Sequence, residues 1–208
     1  MTANVNDSST NVLSIDIGIK SFSCVAGTFS TRDNLVCKCA PVVVDNRTKP
    51  IVRSIEITDV FNVNLGEKQG IKSLDALIAV WDNFSIFQFW TPDVILIENQ
   101  VRKATLNMAL SFATYTLAKQ KFPSCQAKFV PAKNKFRGYV HFFPNASKPQ
   151  SLKTYKDRKK EAVRLSNEIL QEYFGVSSIQ QLSRSEASDD KLRKLDDISD
   201  SFLQLFFI

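Results

Sequence analysis

Short apolar runs separated by turn signals dominate the first part of the chain, a pattern that is typical of β-strands. Three such runs follow one another at residues 11–16, 21–29 and 34–44. Gly18, Gly27 and the polar stretch TRDN at 31–34 interrupt them, so the pattern predicts three consecutive strands in an antiparallel meander. Residues 51–58 predict a further short strand or an edge segment.

The second part of the chain has long segments in which apolar residues recur every three to four positions, as they do along amphipathic helices. Helices are predicted at 71–87, 104–121, 155–174 and 195–208, with buried-type strands at 93–98 and 126–130 and a loop at 131–152. Residues 177–191 are polar and predict a flexible segment. A meander followed by alternating helices and strands indicates an α/β fold, in which helices pack on a mixed sheet.

The composition limits the class of protein. The 208 residues, 44% of them hydrophobic, suffice for one core, so we expect a single domain over residues 11–208 after a disordered leader at 1–10. No run of eighteen apolar residues occurs, and the polar first ten residues have the pattern of neither a secretory signal nor a mitochondrial presequence. We therefore expect an intracellular protein with reduced cysteines. His141 is the single histidine, which disfavours histidine-based acid–base chemistry.

Positive charge is concentrated in one stretch of the chain. The whole chain carries +6, but residues 119–164 hold thirteen Lys or Arg against two acids, so this stretch is +11 and the rest is −5. Such an imbalance belongs either to a solvated surface or to a surface that binds a polyanion. Aromatic residues that could stack on bases are interleaved with the charges: Phe129, Phe136, Tyr139, Phe142, Phe143 and Tyr155.

Four acids stand at positions where a carboxylate is costly or crowded. Asp16 follows an apolar strand and shares a strand face with Ser14, while Glu98 ends a second apolar strand. Asp197 and Asp200 are three residues apart on the last predicted helix, so their side chains are neighbours. Each acid taken alone has a plain structural explanation, such as a turn, a strand end or the first turn of a helix.

Taken together, the four acids predict a metal site. Ligand sites in α/β sheets collect at strand ends, and a buried carboxylate is costly unless it is paired or ligated. Oxygen-only ligands suit Mg²⁺ or Mn²⁺, and two such ions about 4 Å apart can activate a water and stabilise the leaving oxygen of a phosphodiester. With the basic stretch available to hold a polyanion, the acids indicate a nuclease.

Four stretches of the sequence resemble, in order and spacing, the motifs of the poxvirus-type Holliday junction resolvases. They are IDIGIKS (15–21), IENQVRK (97–103), TYKDRKKEAV (154–163) and KLDDISDSF (194–202). The basic YKDRKK block and the LDDISDSF block are the specific ones, and Ser21 departs from the asparagine that is usual in that family. The resemblance implies a ribonuclease H-like fold, shared with bacterial and mitochondrial junction resolvases, in which helices flank a mixed five-stranded sheet.

Carried over position by position, the resemblance implies roles for individual residues. The metal-binding and catalytic carboxylates would be Asp16, Glu98, Asp197 and Asp200. The family also has a lysine near the scissile phosphate on the helix of the basic block, and Lys160 is our first choice for this catalytic role and Lys159 the second. The nucleic-acid-binding residues would be Lys20, Arg102, Lys103, Lys156, Arg158 and Lys159.

The activity implied by the resemblance is that of an endonuclease with Mg²⁺, or Mn²⁺ in its place, and two ions per active site. Acting as a homodimer, it would resolve four-way DNA junctions by paired symmetric nicks with 5′-phosphate and 3′-hydroxyl ends, in recombination, repair and the processing of replication intermediates. The implied setting is a viral protein in the host cytoplasm, with a mitochondrial protein as the alternative. The helix at 104–121 is a candidate dimer surface, with ordinary core packing as the equal alternative.

Three other functions compete with this one. The nearest is a related nuclease that acts on flaps, branched DNA or RNA–DNA hybrids. A second is an ATP-binding protein of the actin and sugar-kinase type, which is disfavoured because the six glycines do not cluster. The third is a catalytically inactive DNA-binding module, and the four acids argue against it.

Overall fold

Five strands form one mixed sheet. They are β1 (Ser9–Ile17), β2 (Ser21–Ser30), β3 (Ser54–Asn64), β4 (Val94–Asn99) and β5 (Gln126–Pro131). The order across the sheet is β3-β2-β1-β4-β5, with β3, β2 and β1 antiparallel and β1, β4 and β5 parallel. The predicted combination of an antiparallel meander with parallel strands is confirmed.

The structure, a computed structural model, describes residues 9–30, 54–66, 70–83, 86–100, 104–143, 145–149, 154–179 and 195–208. The edge strand predicted at 51–58 corresponds to β3, which continues to Asn64. The strand predicted at 34–44 lies outside the described residues. So does the leader predicted at 1–10, except for Ser9 and Thr10, which belong to β1.

Helices cover both faces of the sheet. They are α1 (Gly70–Asn83), α2 (Ile86–Phe89), α3 (Thr105–Lys121), α4 (Lys135–Gly138), α5 (Tyr155–Ile169) and α6 (Leu195–Leu205). A π-helical turn at Leu170–Phe174 continues α5. The predicted helix at 71–87 corresponds to α1 and α2, and residues 84–85 between them lie outside the described residues. The other three predicted helices differ only at their ends. No described helix combines the length and the apolar character needed to cross a membrane.

Alternation along β1 sends its side chains into two separate cores. Leu13, Ile15 and Ile17 pack with α1, α2 and α3 on one face of the sheet. Val12 lies in the core on the other face, which α5 and α6 cover. Asp16 is on the same face of the strand as Val12, as its spacing predicts, and it is therefore directed toward α6.

The segment between β5 and α5 is helical for residues 132–141, so the loop predicted there is wrong. It consists of a 3₁₀ turn (Ala132–Asn134), α4 and a second 3₁₀ turn (Tyr139–His141). Phe136, Tyr139 and Phe143 recur at helical spacing and are buried in the core that α6 shares. Their burial stabilises helical turns in a stretch whose Lys, Asn and Pro content predicts a loop.

Helix α6 runs through the interior of the domain, and nine consecutive residues of it are buried. The amide nitrogen of Gln204 donates to the carbonyl oxygens of Ile15 (3.3 Å) and Leu96 (3.0 Å), which fixes α6 to both β1 and β4. Gly138 allows α4 to approach the backbone that follows α6 closely, because a Cβ there would lie 2.7 Å from the carbonyl oxygen of Phe206. The acids at the start of α6 are therefore held at a fixed place relative to the two central strands.

Candidate metal and nucleic-acid site

Two strand ends and one helix bring three carboxylates together. β1 and β4 are parallel neighbours with Ile15 opposite Ile97, so the next residues, Asp16 and Glu98, lie side by side at the carboxyl ends of the strands. Asp200 reaches the same point from α6. One carboxylate oxygen of each acid lies within 4.8 Å of an oxygen of the other two. This spacing is short enough for one cation to contact all three acids.

A buried hydroxyl on α6 holds the end of β1 in place. The backbone N–H of Asp16 donates to Oγ of Ser201 at 3.2 Å, and the same hydroxyl donates to the carbonyl oxygen of Ser23 on β2 at 3.2 Å. Ser201 follows Asp200 directly in the chain. The hydrogen bonds of Ser201 therefore fix the distance between the two acids that face each other across the site.

Asp197 lies one helical turn before Asp200 and outside the group of three. The hydroxyl of Ser21, the first residue of β2, donates to Oδ2 of Asp197 at 2.7 Å. The other oxygen, Oδ1, lies 2.8 Å from Nζ of Lys159. These contacts orient Asp197 toward α5, so the structure brings Asp16, Glu98 and Asp200 together and places Asp197 beside them.

Two lysines neutralise part of the negative charge. Besides its contact with Asp197, Nζ of Lys159 lies 3.2 Å from Oδ2 of Asp200 and 3.1 Å from Oδ2 of Asp196. Nζ of Lys135, on α4, lies 2.5 Å from the same Oδ2 of Asp200. The two side chains are only 17% and 9% exposed, so little water screens these ion pairs.

One oxygen of the cluster, Oδ1 of Asp200, lacks a hydrogen-bond partner among the described residues. Asp200 is 3% exposed, and an unpaired buried acceptor costs about 1–3 kcal/mol, more for a charged group. All donor atoms of Asp16, Glu98 and Asp200 are carboxylate oxygens, which Mg²⁺ and Mn²⁺ prefer. The three acids therefore fit a divalent cation, with the unpaired oxygen as one of its ligands.

The pKa values of the cluster show the same excess of negative charge. Burial, together with the charges of Glu98 and Asp200, raises the pKa of the Asp16 carboxyl well above its usual range. Burial also raises the pKa of Asp200, although two lysines oppose this. For Lys159 and Lys135, burial favours the neutral amine, but the acids, Asp200 first, outweigh it and raise the pKa of both lysines. Both lysines are therefore charged, and the acids are short of positive charge.

The acids lie in a cleft whose remaining charged side chains are all basic. The basic side chains that line it are Lys20, Lys133, Lys135, Arg158 and Lys159. Asn99, Gln100 and Asn107 add polar groups to its walls. A cleft with carboxylates at one point and cations around them can hold an anionic chain and direct one of its phosphates to the acids.

Most of the predicted nucleic-acid-binding residues fall in the described part of the chain. Lys20, Arg158 and Lys159 line the cleft, whereas Lys156 is exposed and does not line it. Lys160, our first choice for the lysine near the phosphate, is also exposed and away from the lining, so Lys159 is the lysine that reaches the acids. Arg102 and Lys103 lie outside the described residues.

Lys135 is a site residue that the sequence prediction missed. The sequence places it only in the basic stretch, within the loop predicted at 131–152. The signal available was its position four residues after the end of β5, where side chains of a parallel sheet gather at the ligand-binding edge.

Comparison with known proteins gives matches by structure. No family model matches the sequence, and no curated protein matches it. The fold is similar to RuvC of Thermus thermophilus in complex with a Holliday junction substrate, with a TM-score of 0.52 and 10% identity over 95% of this chain and 94% of that one. A second Thermus thermophilus RuvC structure has a TM-score of 0.49 at 10% identity, covering 95% of this chain and 94% of that one. The Fowlpox virus resolvase, in complex with substrate Holliday junction DNA, has a TM-score of 0.46 at 14% identity, covering 94% and 96%.

The fold is therefore ribonuclease H-like, as in RuvC, with a mixed five-stranded sheet and helices on both of its faces. This confirms the fold that the resemblance implied.

Proposed function

We propose that this chain is a divalent-metal-dependent endonuclease that resolves four-way DNA junctions by paired symmetric nicks. The observation that carries the proposal is the group formed by Asp16, Glu98 and Asp200, whose oxygens lie within 4.8 Å of one another in a cleft lined by basic side chains. The fold similarity to RuvC, a protein whose structure is known with a Holliday junction substrate, supports the choice of substrate.

The cation, Mg²⁺ or Mn²⁺ and two ions per site in our proposal, would supply an activated water and stabilise the leaving oxygen. Asp16, Glu98 and Asp200 would hold it, and Asp197, whose oxygens contact Ser21 and Lys159, would be the fourth carboxylate of the site. Lys159 and Lys135 lie within 3.2 Å of Asp200, and in this proposal their ammonium groups would neutralise charge that develops on the phosphate. Attack by water that expels the 3′ oxygen leaves 5′-phosphate and 3′-hydroxyl ends.

A homodimer is part of the proposal, because a two-fold enzyme matches a two-fold junction and can place two cuts symmetrically. Helix α3 remains the candidate surface: Phe112 is 55% exposed there. The rings of Phe112 and Tyr115 also pack on Phe129, so part of this helix serves the fold. Sedimentation of the purified chain, alone and with Phe112→Glu, tests the dimer.

The test is cleavage of a synthetic four-way junction whose strands carry distinct labels, with Mg²⁺ and with a chelator. We expect paired nicks at symmetric positions in opposing strands, and nicked products that DNA ligase reseals, since ligase requires a 5′-phosphate beside a 3′-hydroxyl. Binding should weaken steeply as salt rises, because the four lysines and Arg158 that line the cleft release counterions from the DNA.

Parallel reactions with a flap, an RNA–DNA hybrid and a plain duplex separate the alternatives. Faster cleavage of the flap or the hybrid would assign the chain to the related nuclease activity. Tight junction binding without cleavage in either Mg²⁺ or Mn²⁺ would leave a DNA-binding module.

A further inference from the structure

Phe129, Phe136, Tyr139, Phe142, Phe143 and Tyr155 are the six aromatic residues of the basic stretch that are candidates for base stacking, and their burial differs sharply. Phe136, Tyr139 and Phe143 are buried in one core. Phe129 and Phe142 are partly buried and pack against the cores on the two faces of the sheet. The sixth residue, Tyr155, is 67% exposed. Five of the six rings therefore pack in or against the cores, whereas the ring of Tyr155 contributes little to packing.

Tyr155 also differs from the other exposed apolar side chains in its position. In the described part of the chain the large exposed apolar residues are Leu74, Ile78, Phe89, Phe112, Val140, Tyr155, Phe207 and Ile208. Only Tyr155 lines the cleft that contains the acids. Proteins that bind single-stranded nucleic acids stack the bases on aromatic rings exposed in a basic groove, and Tyr155 is such a ring.

The ring is held close to the carboxylates. Thr154 and Asp157 form a capping box at the start of α5, which fixes the backbone of Tyr155 between them. The guanidinium carbon of Arg158 lies 5.9 Å from the ring centroid, and Nζ of Lys159 lies 5.6 Å from it. Since Nζ of Lys159 also contacts the acids of α6, a base on this ring would lie within about two or three stacked nucleotides of the carboxylates.

We propose that Tyr155 is a stacking platform for an unpaired base at the branch point, and that it contributes to the preference for branched over linear DNA. A base inside a duplex has both faces covered by its neighbours, so the ring of Tyr155 can stack only on a base that has left the helix. Unpaired or frayed bases occur where strands exchange. The inference rests on the proposed function, because it assigns the substrate feature that the same cleft would recognise.

The test uses a junction with the fluorescent base 2-aminopurine at the exchange point, and a duplex with the same base in its interior. Complexes are formed in Ca²⁺, after control reactions show that the DNA stays uncut. We expect wild type and Tyr155→Phe to quench 2-aminopurine in the junction, while Tyr155→Ala does not. Junction affinity of Tyr155→Ala should fall by roughly 5- to 150-fold, the range for one lost base stack, and duplex affinity by less than about twofold.

Phe89→Ala is the matched control, because Phe89 is 85% exposed but does not line the cleft. It should behave as wild type in all measurements. Tyr155→Leu, which keeps an apolar side chain without an aromatic face, should resemble Tyr155→Ala if stacking is the cause.

Equal quenching by wild type and Tyr155→Ala, or an equal loss of junction and duplex affinity, would overturn the inference and leave the nuclease proposal intact. A wild type that quenches the base but never cuts the junction would overturn the nuclease proposal alone.

Discussion

Helix α5 takes part in two clusters of charge that differ in how completely their oxygens are satisfied. The first, which we call the packing cluster, consists of Glu161, Arg164 and Glu168. The second, the cleft cluster, consists of Asp16, Glu98, Asp196, Asp197, Asp200, Lys135 and Lys159. Both hold more acids than cations, so the ratio of charges does not distinguish them.

In the packing cluster, every carboxylate oxygen has a donor. Arg164 donates to both oxygens of Glu161 at 2.8 and 2.9 Å and to Oε2 of Glu168 at 2.6 Å. The backbone N–H of Ser147 donates to the remaining oxygen of Glu168 at 2.6 Å. Burial raises the pKa of Glu168, but the donors from Ser147 and Arg164 outweigh it and lower that pKa. The cluster is therefore complete, and it fastens the segment after α4 to α5.

In the cleft cluster, the donors are too few. Oδ1 of Asp200 has no partner among the described residues, and the pKa of Asp16 is raised, which means that the protein disfavours its charge. In a charged network that only stabilises a fold, every carboxylate oxygen has a partner without a ligand. In a network that binds a cation, some oxygens lack a partner until the cation binds. The unpaired oxygen of Asp200 is therefore the difference that we expect between a cation site and a cluster that only packs.

Asp200→Asn should have the largest effect on cleavage. The amide keeps the shape of the side chain but removes the charge, so junction cleavage should fall by about a thousandfold or more while junction binding persists. In the packing cluster, Glu161→Gln should leave cleavage unchanged. It should lower the free energy of unfolding by about 1–3 kcal/mol, because an amide N–H would face the guanidinium of Arg164. Cleavage rates and denaturant unfolding of both variants measure this separation.

Two outcomes would contradict it. Cleavage by Asp200→Asn at the wild-type rate would show that the cleft cluster takes no part in the reaction. A loss of cleavage in Glu161→Gln at a temperature where that variant is folded would show that the packing cluster is not merely structural.

Lys159→Met should have the next largest effect. The metal-free protein loses the ammonium that neutralises Asp197 and Asp200, so it should unfold at a lower temperature than wild type in a chelator. Mg²⁺ should then bind at least about tenfold more tightly, since a unit charge 4 Å away contributes about 4 kcal/mol at an effective dielectric of 20. Cleavage should nevertheless fall about a hundredfold, because the charge near the phosphate is lost. Calorimetric Mg²⁺ titration and thermal unfolding give the measurements.

Lys160→Met is the matched control for this variant, because Lys160 is the next residue on α5 but is exposed and does not line the cleft. It should leave Mg²⁺ affinity and cleavage close to wild type. If the two variants bind Mg²⁺ equally, Lys159 does not compete with the cation.

The sheet and much of the site could be predicted from the sequence because they depend on simple periods. Period two along β1 places Asp16 on the face away from Ile15 and Ile17, and an i,i+3 spacing pairs Asp197 with Asp200. Parallel neighbours bring Glu98 next to Asp16 once β1 and β4 pair. These relations survive folding because they are properties of single elements or of adjacent strands.

Two parts of the site could not be predicted. One depends on the rotation of α5 about its axis, and the other lies in α4, whose amino-acid composition is typical of a loop. Lys159 and Lys160 are adjacent and equally basic. Lys159 lies three residues before Ala162 and seven before Ser166, both of which are buried. Alanine and serine do not mark a buried face in the sequence, so the rotation of α5 that brings Lys159 to the acids could not be predicted. The position of Lys135 could not be predicted, because the residues around it have the composition of a loop. The segment is helical because its aromatic residues are buried.

The smallest expected effect is on stability, whose pH dependence should have opposite signs in the two clusters. In the unfolded chain Asp titrates near 3.9 and Glu near 4.3. The pKa of Glu168 is lowered in the fold, so the stability it contributes is present above about pH 4.3 and is lost as pH falls through its folded pKa. The pKa of Asp16 is raised, so its favourable contribution is present below about pH 3.9 and is lost as pH rises through its folded pKa.

Thermal unfolding at pH 8 in a chelator should therefore move in opposite directions, by about 1–4 °C, upward for Asp16→Asn and downward for Glu168→Gln. Mg²⁺ should raise the unfolding temperature of wild type and Glu168→Gln but raise that of Asp16→Asn much less, because that variant lacks one of the three ligands. An Asp16→Asn variant that is less stable than wild type in the chelator would show that the charge of Asp16 stabilises the metal-free fold. The cleft cluster would then be a second packing cluster, and the physical distinction between the two regions would be lost.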